Sequence, residues 1–393
     1  MTVTDIRTRT ELPAGWGLPV AVLAIGTFAL GTDSFVLAGI LPQISSDLAV
    51  SSGAAGQTVT VFALTYGIAA PFLATFTSHI PRRRLLIAAM SMFVIANIAS
   101  ALSPSLPVLL ATRVFAGLGA ALYTPTASAA AVALAGSQTR GRAMSVILGG
   151  LTLGTVAGVP LGTAIGQHAS WRASLAFVAA VGAAAVAGIV ALLPPLAIPP
   201  IVLLARRFSV LANRRIVAMV AYMVIVTAAS FAVYTYAADV LGEVQGVHGS
   251  GLIVALLAWG LGGLVGSFGS GWTTDHWGPR RTLTTATVLL GTSLVALGLV
   301  HSAPLAVVVM AVYGAAGWAG STPNNHRLAA EAPHLPAMVI SFNSSAIYLG
   351  EALGAIVGGT LVSHHESATL LCVVAAGIAA AALLLHLTIA SRK

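Results

Sequence analysis

Gly271-Trp-Thr-Thr-Asp275-His-Trp-Gly278-Pro-Arg280-Arg281 is a short polar run between two apolar stretches, and Ala74-Thr-Phe-Thr-Ser78-His-Ile-Pro81-Arg-Arg83-Arg84 is its counterpart earlier in the chain. Aligning Arg280 and Arg281 with Arg83 and Arg84 also superposes His276 on His79. The two copies stand six apolar segments apart. A chain that repeats a connecting loop after six segments reads as two related halves, the architecture of a transporter that rocks one half against the other around a midplane site.

Outward from this repeat, the composition fixes the solvent. Of 393 residues, 58% are hydrophobic and 7% are charged, with a mean hydropathy of +0.96, whereas a soluble domain carries about 25% charged residues. Apolar segments fall near 17–41, 54–78, 85–103, 106–134, 143–167, 173–195, 216–240, 249–271, 282–302, 304–323, 337–363 and 367–390. Each is long enough for a helix to cross a hydrocarbon core of about 30 Å. The expected fold is therefore all-α and integral to the membrane, with twelve transmembrane helices in two pseudo-symmetric six-helix bundles. A β-barrel would alternate apolar and polar residues over about ten positions, and these runs are apolar on every face. The 41 glycines suit helices that approach closely in lipid.

Charge gives the orientation. Arg7, Arg9, Arg82, Arg83, Arg84, Arg140, Arg142, Arg206, Arg207, Arg214, Arg215, Arg280, Arg281, Arg327, Arg392 and Lys393 fall in the termini or in even-numbered loops, leaving Arg172 and Arg113 as exceptions. Short Arg-rich loops stay in the cytoplasm, so both termini and the central loop are expected to face the cytoplasm, with the chain spanning the cell's inner or plasma membrane. The net charge of +8 is thus a topology signal and forms no basic face for nucleic acid. Pro194, Pro195, Pro199 and Pro200, followed by Arg206, Arg207, Arg214 and Arg215, mark a linker. The halves are expected at 1–195 and 216–393, with the cytoplasmic linker at 196–215. About fifteen mixed residues precede the first segment, which is long enough to stay in the membrane, so no cleavable signal is expected. Cys372 is single, and His364 and His365 are adjacent with the other histidines scattered, so neither a disulfide nor a metal site is expected. No Gly-x-x-x-x-Gly-Lys-Ser/Thr loop is present, which argues against ATP as the energy source. No cofactor or clustered nucleophile points to an enzyme.

The 271–281 run matches at every position the Gly-x-x-x-Asp-x-x-Gly-x-Arg-Arg signature of the major facilitator superfamily, and the chain resembles that family at these residues. The resemblance implies a cytoplasmic latch made by Asp275, Gly278, Arg280 and Arg281. The 74–84 copy carries Ser78 in place of the acid, so Arg83 and Arg84 serve either a latch or orientation alone. Leu109-x-x-x-Arg113-x-x-x-Gly117-x-Gly119 is similar to the family's second motif. A charge at membrane depth costs about 2.5–3.5 kcal/mol on insertion scales and faces a cavity or a partner. Arg113 and Gly117 share a helix face. In the fifth segment Gly149, Gly150, Gly154, Gly158, Pro160, Gly162 and Gly166 resemble an antiporter motif, which implies tight packing of this helix against the other half; any close helix crossing would use the same spacing. Gly158-Val-Pro160-Leu-Gly162 with Trp171-Arg172, and Gly31-Thr32-Asp33-Ser34-Phe35 running on to Pro42, are similar to a narrower branch of arabinose-efflux-like, purine-nucleoside and chloramphenicol exporters. The chain departs from that branch by carrying its acid at Asp33, one residue earlier and about 100° around the helix.

Three charges are expected deep in the spans: Asp33, Arg113 and Glu351. A carboxylate whose solvent access alternates can load and release a proton, and Asp33 is expected to do so with Arg113 tuning it, Glu351 being the alternative coupling acid. Asn343, Tyr348 and Glu351 follow one another along the eleventh segment, with Asn343 and Glu351 near one face. Together with Asp33, Phe35 and Tyr234 they are the expected substrate contacts, while Glu351 could instead bond helix to helix. Tyr234 and Tyr236 could equally be interfacial anchors. Asp239 and Glu243 are expected in water. The reading is a monomeric, proton-coupled exporter of small organic molecules such as chloramphenicol, since few polar side chains are available for a sugar's hydroxyls. A sugar or purine-nucleoside exporter, or a facilitator or importer on the same fold, is the alternative.

Overall fold

The computed structural model describes residues 15–196 and 208–391. Arg7, Arg9, Pro199, Pro200, Arg206, Arg207, Arg392, Lys393 and most of the expected linker at 196–215 lie outside the described residues. Among the described residues twelve helices are long and apolar enough to cross a membrane. The first bundle holds α1 (Gly17–Asp47), α2 (Ser52–Phe76), α3 (Arg82–Ala101), α4 (Leu106–Gly136), α5 (Gln138–His168) and α6 (Trp171–Leu192). The second holds α7 (Arg214–Tyr234), α8 (Ser250–Trp277), α9 (Pro279–Leu299), α10 (Ala303–Glu331), α11 (Met338–Ser363) and α12 (Ala368–Ile389). No strand occurs among the described residues.

Three boundaries differ from the sequence reading. The loop expected after residue 134 is absent, because helical bonding runs on from α4 into α5 through a kink at Gly136, with φ 66° and ψ 179°. That backbone is open to glycine and strained for other residues. The tenth helix extends past residue 323 to Glu331, with a break between Trp318 and Ser321. Beyond α7 the chain turns at Thr235 and Tyr236 into a short helix, Ala237–Gln245, which ends at left-handed Gly246.

What holds each bundle is a glycine register between parallel helices. A Cβ on Gly150, Gly154, Gly158, Gly162 or Gly166 of α5 would meet, respectively, Ala24, Phe28, Thr32, Val36 or Ile40 of α1. Both rows advance by four residues, so one ridge of α5 lies along one ridge of α1 for five turns. The second bundle repeats the device: a Cβ on Gly350, Gly354 or Gly358 of α11 would meet Val224, Ala228 or Ala232 of α7. Helices 1 and 5 of one half thus correspond to helices 7 and 11 of the other.

This packing corrects the expectation for the fifth helix. Its glycine face serves α1 in its own bundle, and the other bundle is met by Thr155 and Val156, whose backbones lie against Gly260 of α8. Pro160 has no N–H to offer the preceding turn, and just before it the helix widens into a π-turn over Gly154–Gly158, closed by Val159 N–H on the Gly154 carbonyl. The Thr32 hydroxyl donates to that same carbonyl at 3.3 Å. The widened turn is therefore tied sideways to α1.

Gly154→Val should lower the thermal unfolding midpoint in detergent, by an amount equivalent to about 1–3 kcal/mol of overpacking. Gly149→Val, with open space around its Cβ position, should shift it little; equal shifts would show that the register contributes nothing.

Candidate functional site

Asp33 and Arg113 meet at the centre of the first bundle. Arg113 donates from Nη1 to Asp33 Oδ1 at 2.9 Å and from Nη2 to Oδ2 at 2.8 Å. Both side chains are fully buried. Nη1 also reaches Asn97 Oδ1 of α3 at 3.4 Å, and the guanidinium lies 4.7 Å from the centre of the Phe62 ring of α2. Four helices thus converge on one cation. Gly117, one turn from Arg113, makes this possible, because a Cβ there would press on the Phe62 carbonyl at 2.8 Å. A two-pronged pair with each acid oxygen engaged is the strong form of the carboxylate–guanidinium contact.

Glu351 of α11 is the opposite case. It is 1% exposed, and neither carboxyl oxygen has a hydrogen-bond partner. It lines a cleft between the bundles with Ser34, Phe35, Val59, Phe231 and Tyr234, too narrow to admit water. Asn343 does not reach this cleft. Two turns along α11, it accepts a hydrogen bond from Asn324 Nδ2 of α10 at 2.7 Å, and so links helices of its own bundle. Tyr348 crosses the interface instead, stacking on Tyr66 of α2 with centroids 3.6 Å apart.

Tyr234 and Tyr236 are not interfacial anchors. Both are buried. The Tyr234 hydroxyl donates to the Phe35 carbonyl across the interface at 3.2 Å, and that of Tyr236 donates to the Ala355 carbonyl at 3.0 Å. Asp239 is half-buried rather than solvated, and the Ser52 hydroxyl donates to it at 3.4 Å. Burial pushes its carboxyl above the usual range, and the charge of Glu243 pushes the same way. Glu243 is exposed as expected.

At the Arg-rich end, Asp275, Arg280 and Arg281 are exposed, and Asp275 forms no ion pair among the described residues. The signature loop is engaged through its backbone: His386 Nε2 of α12 donates to the Arg280 carbonyl at 3.2 Å. Arg327 Nη1 donates to the other ring nitrogen at 3.0 Å. These bonds assign a neutral ring with its proton on Nε2. Arg327 and His386 are both buried, so Asp33, Arg113 and Glu351 are not the whole set of ionisable groups within the spans. In the first bundle Arg83 donates to the Val190 carbonyl at 2.7 Å, and Arg84 is exposed. At the opposite end Asp47 pairs with Arg172 and accepts from Trp171 Nε1 at 3.0 Å.

Sequence reasoning missed the rings around Phe35. Phe231 stacks on it at 5.8 Å, and Trp259 and Trp318 lie 6.0 and 5.7 Å away. Their signal was available, since tryptophans at mid-depth in apolar segments are far from the interfacial belt where they usually concentrate.

A family model described as Major Facilitator Superfamily matches residues 23–355 and 271–393. A chloramphenicol resistance protein of Streptomyces lividans is 33% identical over 355 residues, covering 88% of this chain and 90% of that protein. A chloramphenicol efflux pump of Mycobacterium tuberculosis is 30% identical over 379 residues, covering 93% and 90%. In three dimensions the chain is similar to a mutant form of the nucleoside transporter NupG, with a TM-score of 0.80 at 13% identity over 95% of this chain and all of that one.

Removing one member of the buried pair leaves the other charge uncompensated, at a cost of about 3–5 kcal/mol. Asp33→Asn alone should therefore destabilise the protein more than Asp33→Asn combined with Arg113→Met, as read by thermal unfolding in detergent. Additive losses would mean the pair is not coupled.

Proposed function

The chain belongs to the Major Facilitator Superfamily, and we propose that within it the protein is a proton-coupled exporter of small organic molecules, with chloramphenicol as the first compound to test. Two relatives that carry chloramphenicol in their names, each at 30% identity or more over most of both chains, support the drug-export reading. Residues 1–195 and 216–393 move as the two bodies, joined by 196–215 and working as a monomer. The Arg-rich side and both termini face the cytoplasm.

The observation that carries the mechanism is the isolation of Glu351. An ionised carboxylate with neither a protein partner nor water is too costly to keep, so in the closed cleft Glu351 holds a proton. When the bundles part and water enters, the proton can leave. Asp33, with both oxygens held by Arg113, is the less available acceptor. The coupling role is therefore assigned to Glu351 ahead of Asp33. Substrate enters from the cytoplasm into the cleft that Phe35, Tyr234 and Glu351 line in the closed form. The bundles rock, substrate leaves outward, and protonation of Glu351 from outside resets the carrier. Arg83, Arg84 and the Asp275 loop close the cytoplasmic side when the cavity opens outward.

The test is uptake of labelled chloramphenicol into inverted membrane vesicles with an imposed inside-acid gradient. The gradient should drive accumulation, and Glu351→Gln should abolish that accumulation while leaving exchange of labelled for unlabelled compound. Gradient-driven uptake that survives Glu351→Gln would remove Glu351 from coupling, and uptake indifferent to the gradient in the unmodified protein would make it a facilitator.

A further inference from the structure

Phe35 is the one ring that the first bundle contributes to an aromatic cluster otherwise built by the second. Around it stand Phe231 and Tyr234 from α7, Trp259 from α8 and Trp318 from α10, with centroids 5.7–6.1 Å away. The four hosts also hold one another. Tyr234 stacks on Trp259 at 4.0 Å, Phe231 meets Tyr234 edge-on at 5.6 Å, and Trp318 meets Trp259 at 6.1 Å. Because they belong to one bundle, they keep their arrangement when the bundles part, whereas Phe35 leaves with α1. What remains is a socket shaped around a six-membered ring.

Two features separate this socket from ordinary core packing. Trp259 Nε1 is buried without a hydrogen-bond partner, and so are both oxygens of Glu351, which lines the same cleft as Phe35, Phe231 and Tyr234. Buried donors and acceptors are ordinarily paired, and leaving one alone is unfavourable. A hydrocarbon ring such as Phe35 satisfies neither group. A ligand ring carrying polar substituents could satisfy both.

We propose that Phe35 is a built-in occupant of the substrate's aryl site, and that on opening the Phe231–Tyr234–Trp259–Trp318 socket exchanges it for a planar aromatic ring whose polar substituents pair with Trp259 Nε1 and Glu351. This rests on the interface cleft being the substrate site. It names the substrate class as aryl compounds that carry near the ring an oxygen or nitrogen acceptor for Trp259 Nε1 and a hydroxyl or amide N–H donor for Glu351. Phe35 then acts on specificity by competition: a compound gains entry only if its ring is held better than a phenyl ring already tethered in place. An occupied socket reduces apparent affinity by the fraction of molecules in which it is vacant.

Equilibrium dialysis of purified protein in detergent, with no pH gradient, tests this with labelled chloramphenicol, adenosine and arabinose as probes. Phe35→Leu should bind at least one ring-bearing probe about threefold or more tightly than the unmodified protein, since the competitor is gone. Trp259→Leu should weaken the same binding about tenfold, the equivalent of 1.4 kcal/mol, and Trp259→Phe should recover part of it. Arabinose, without an aromatic ring, should bind no variant better than another. The proposal is overturned if Phe35→Leu binds no tighter, if Trp259→Leu binds as well as the unmodified protein, or if neither ring-bearing probe binds at all. Should Trp259→Leu not fold, Trp318→Leu takes its place with the same expected loss. Failure of proton coupling would leave the dialysis pattern intact, and failure of the socket would leave gradient-driven transport intact, so the two readings fall separately.

Discussion

A buried guanidinium sets the terms for the first bundle. Arg113 cannot shed its charge, so the fold must bring it an anion, an amide and a ring face: Asp33, Asn97 and Phe62 come from three other helices. That convergence fixes the distances between α1, α2, α3 and α4. The glycine register then fixes α5 on α1, because Thr32, next to Asp33 in the chain, lies over Gly158 and bonds the Gly154 carbonyl. Position, charge and helix contact are thus determined together at residues 32 and 33.

The second bundle shares the register but not the ion pair. Its acid stands alone at the interface, and its polar contacts are placed elsewhere: Asn324 with Asn343, Tyr222 with Thr287 at 2.7 Å, Arg327 with His386. A half whose buried acid is paired faces a half whose buried acid is not, an asymmetric arrangement on a symmetric frame. The asymmetry leaves one buried acid paired within its own half and the other without a partner at the interface.

Much of this was legible in the sequence, for identifiable reasons. Hydrophobic length located the spans, and the six-segment offset between the two loops gave the duplication. The mere presence of Asp33, Arg113 and Glu351 in apolar surroundings marked them for attention. What composition could not give was direction around a helix. The α5 glycines read equally well as facing the other half or their own, and the choice depends on which neighbour has a ridge of matching spacing, a property of α1. Tyr234 and Tyr236 look interfacial because they stand near a segment's end, yet the chain turns there and folds them inward. Arg327 reads as a loop residue because His386, its partner, is 59 positions away. Gly136 hides a joint: without a polar loop at that point, two helices fuse through one left-handed residue.

The separation of Asp33 from Arg113 by 80 positions also has a consequence for biosynthesis. A chain emerging N-terminus first delivers α1, with its acid, to the membrane well before α4 carries in the counter-charge. Neither helix is at home alone in lipid, since a lone charge at that depth is penalised. The pair, and with it the fixed spacing of α1 to α4, can therefore form only after the fourth helix has been made. Glu351 has no hydrogen-bonded partner on another helix, so α11 imposes no such order on assembly.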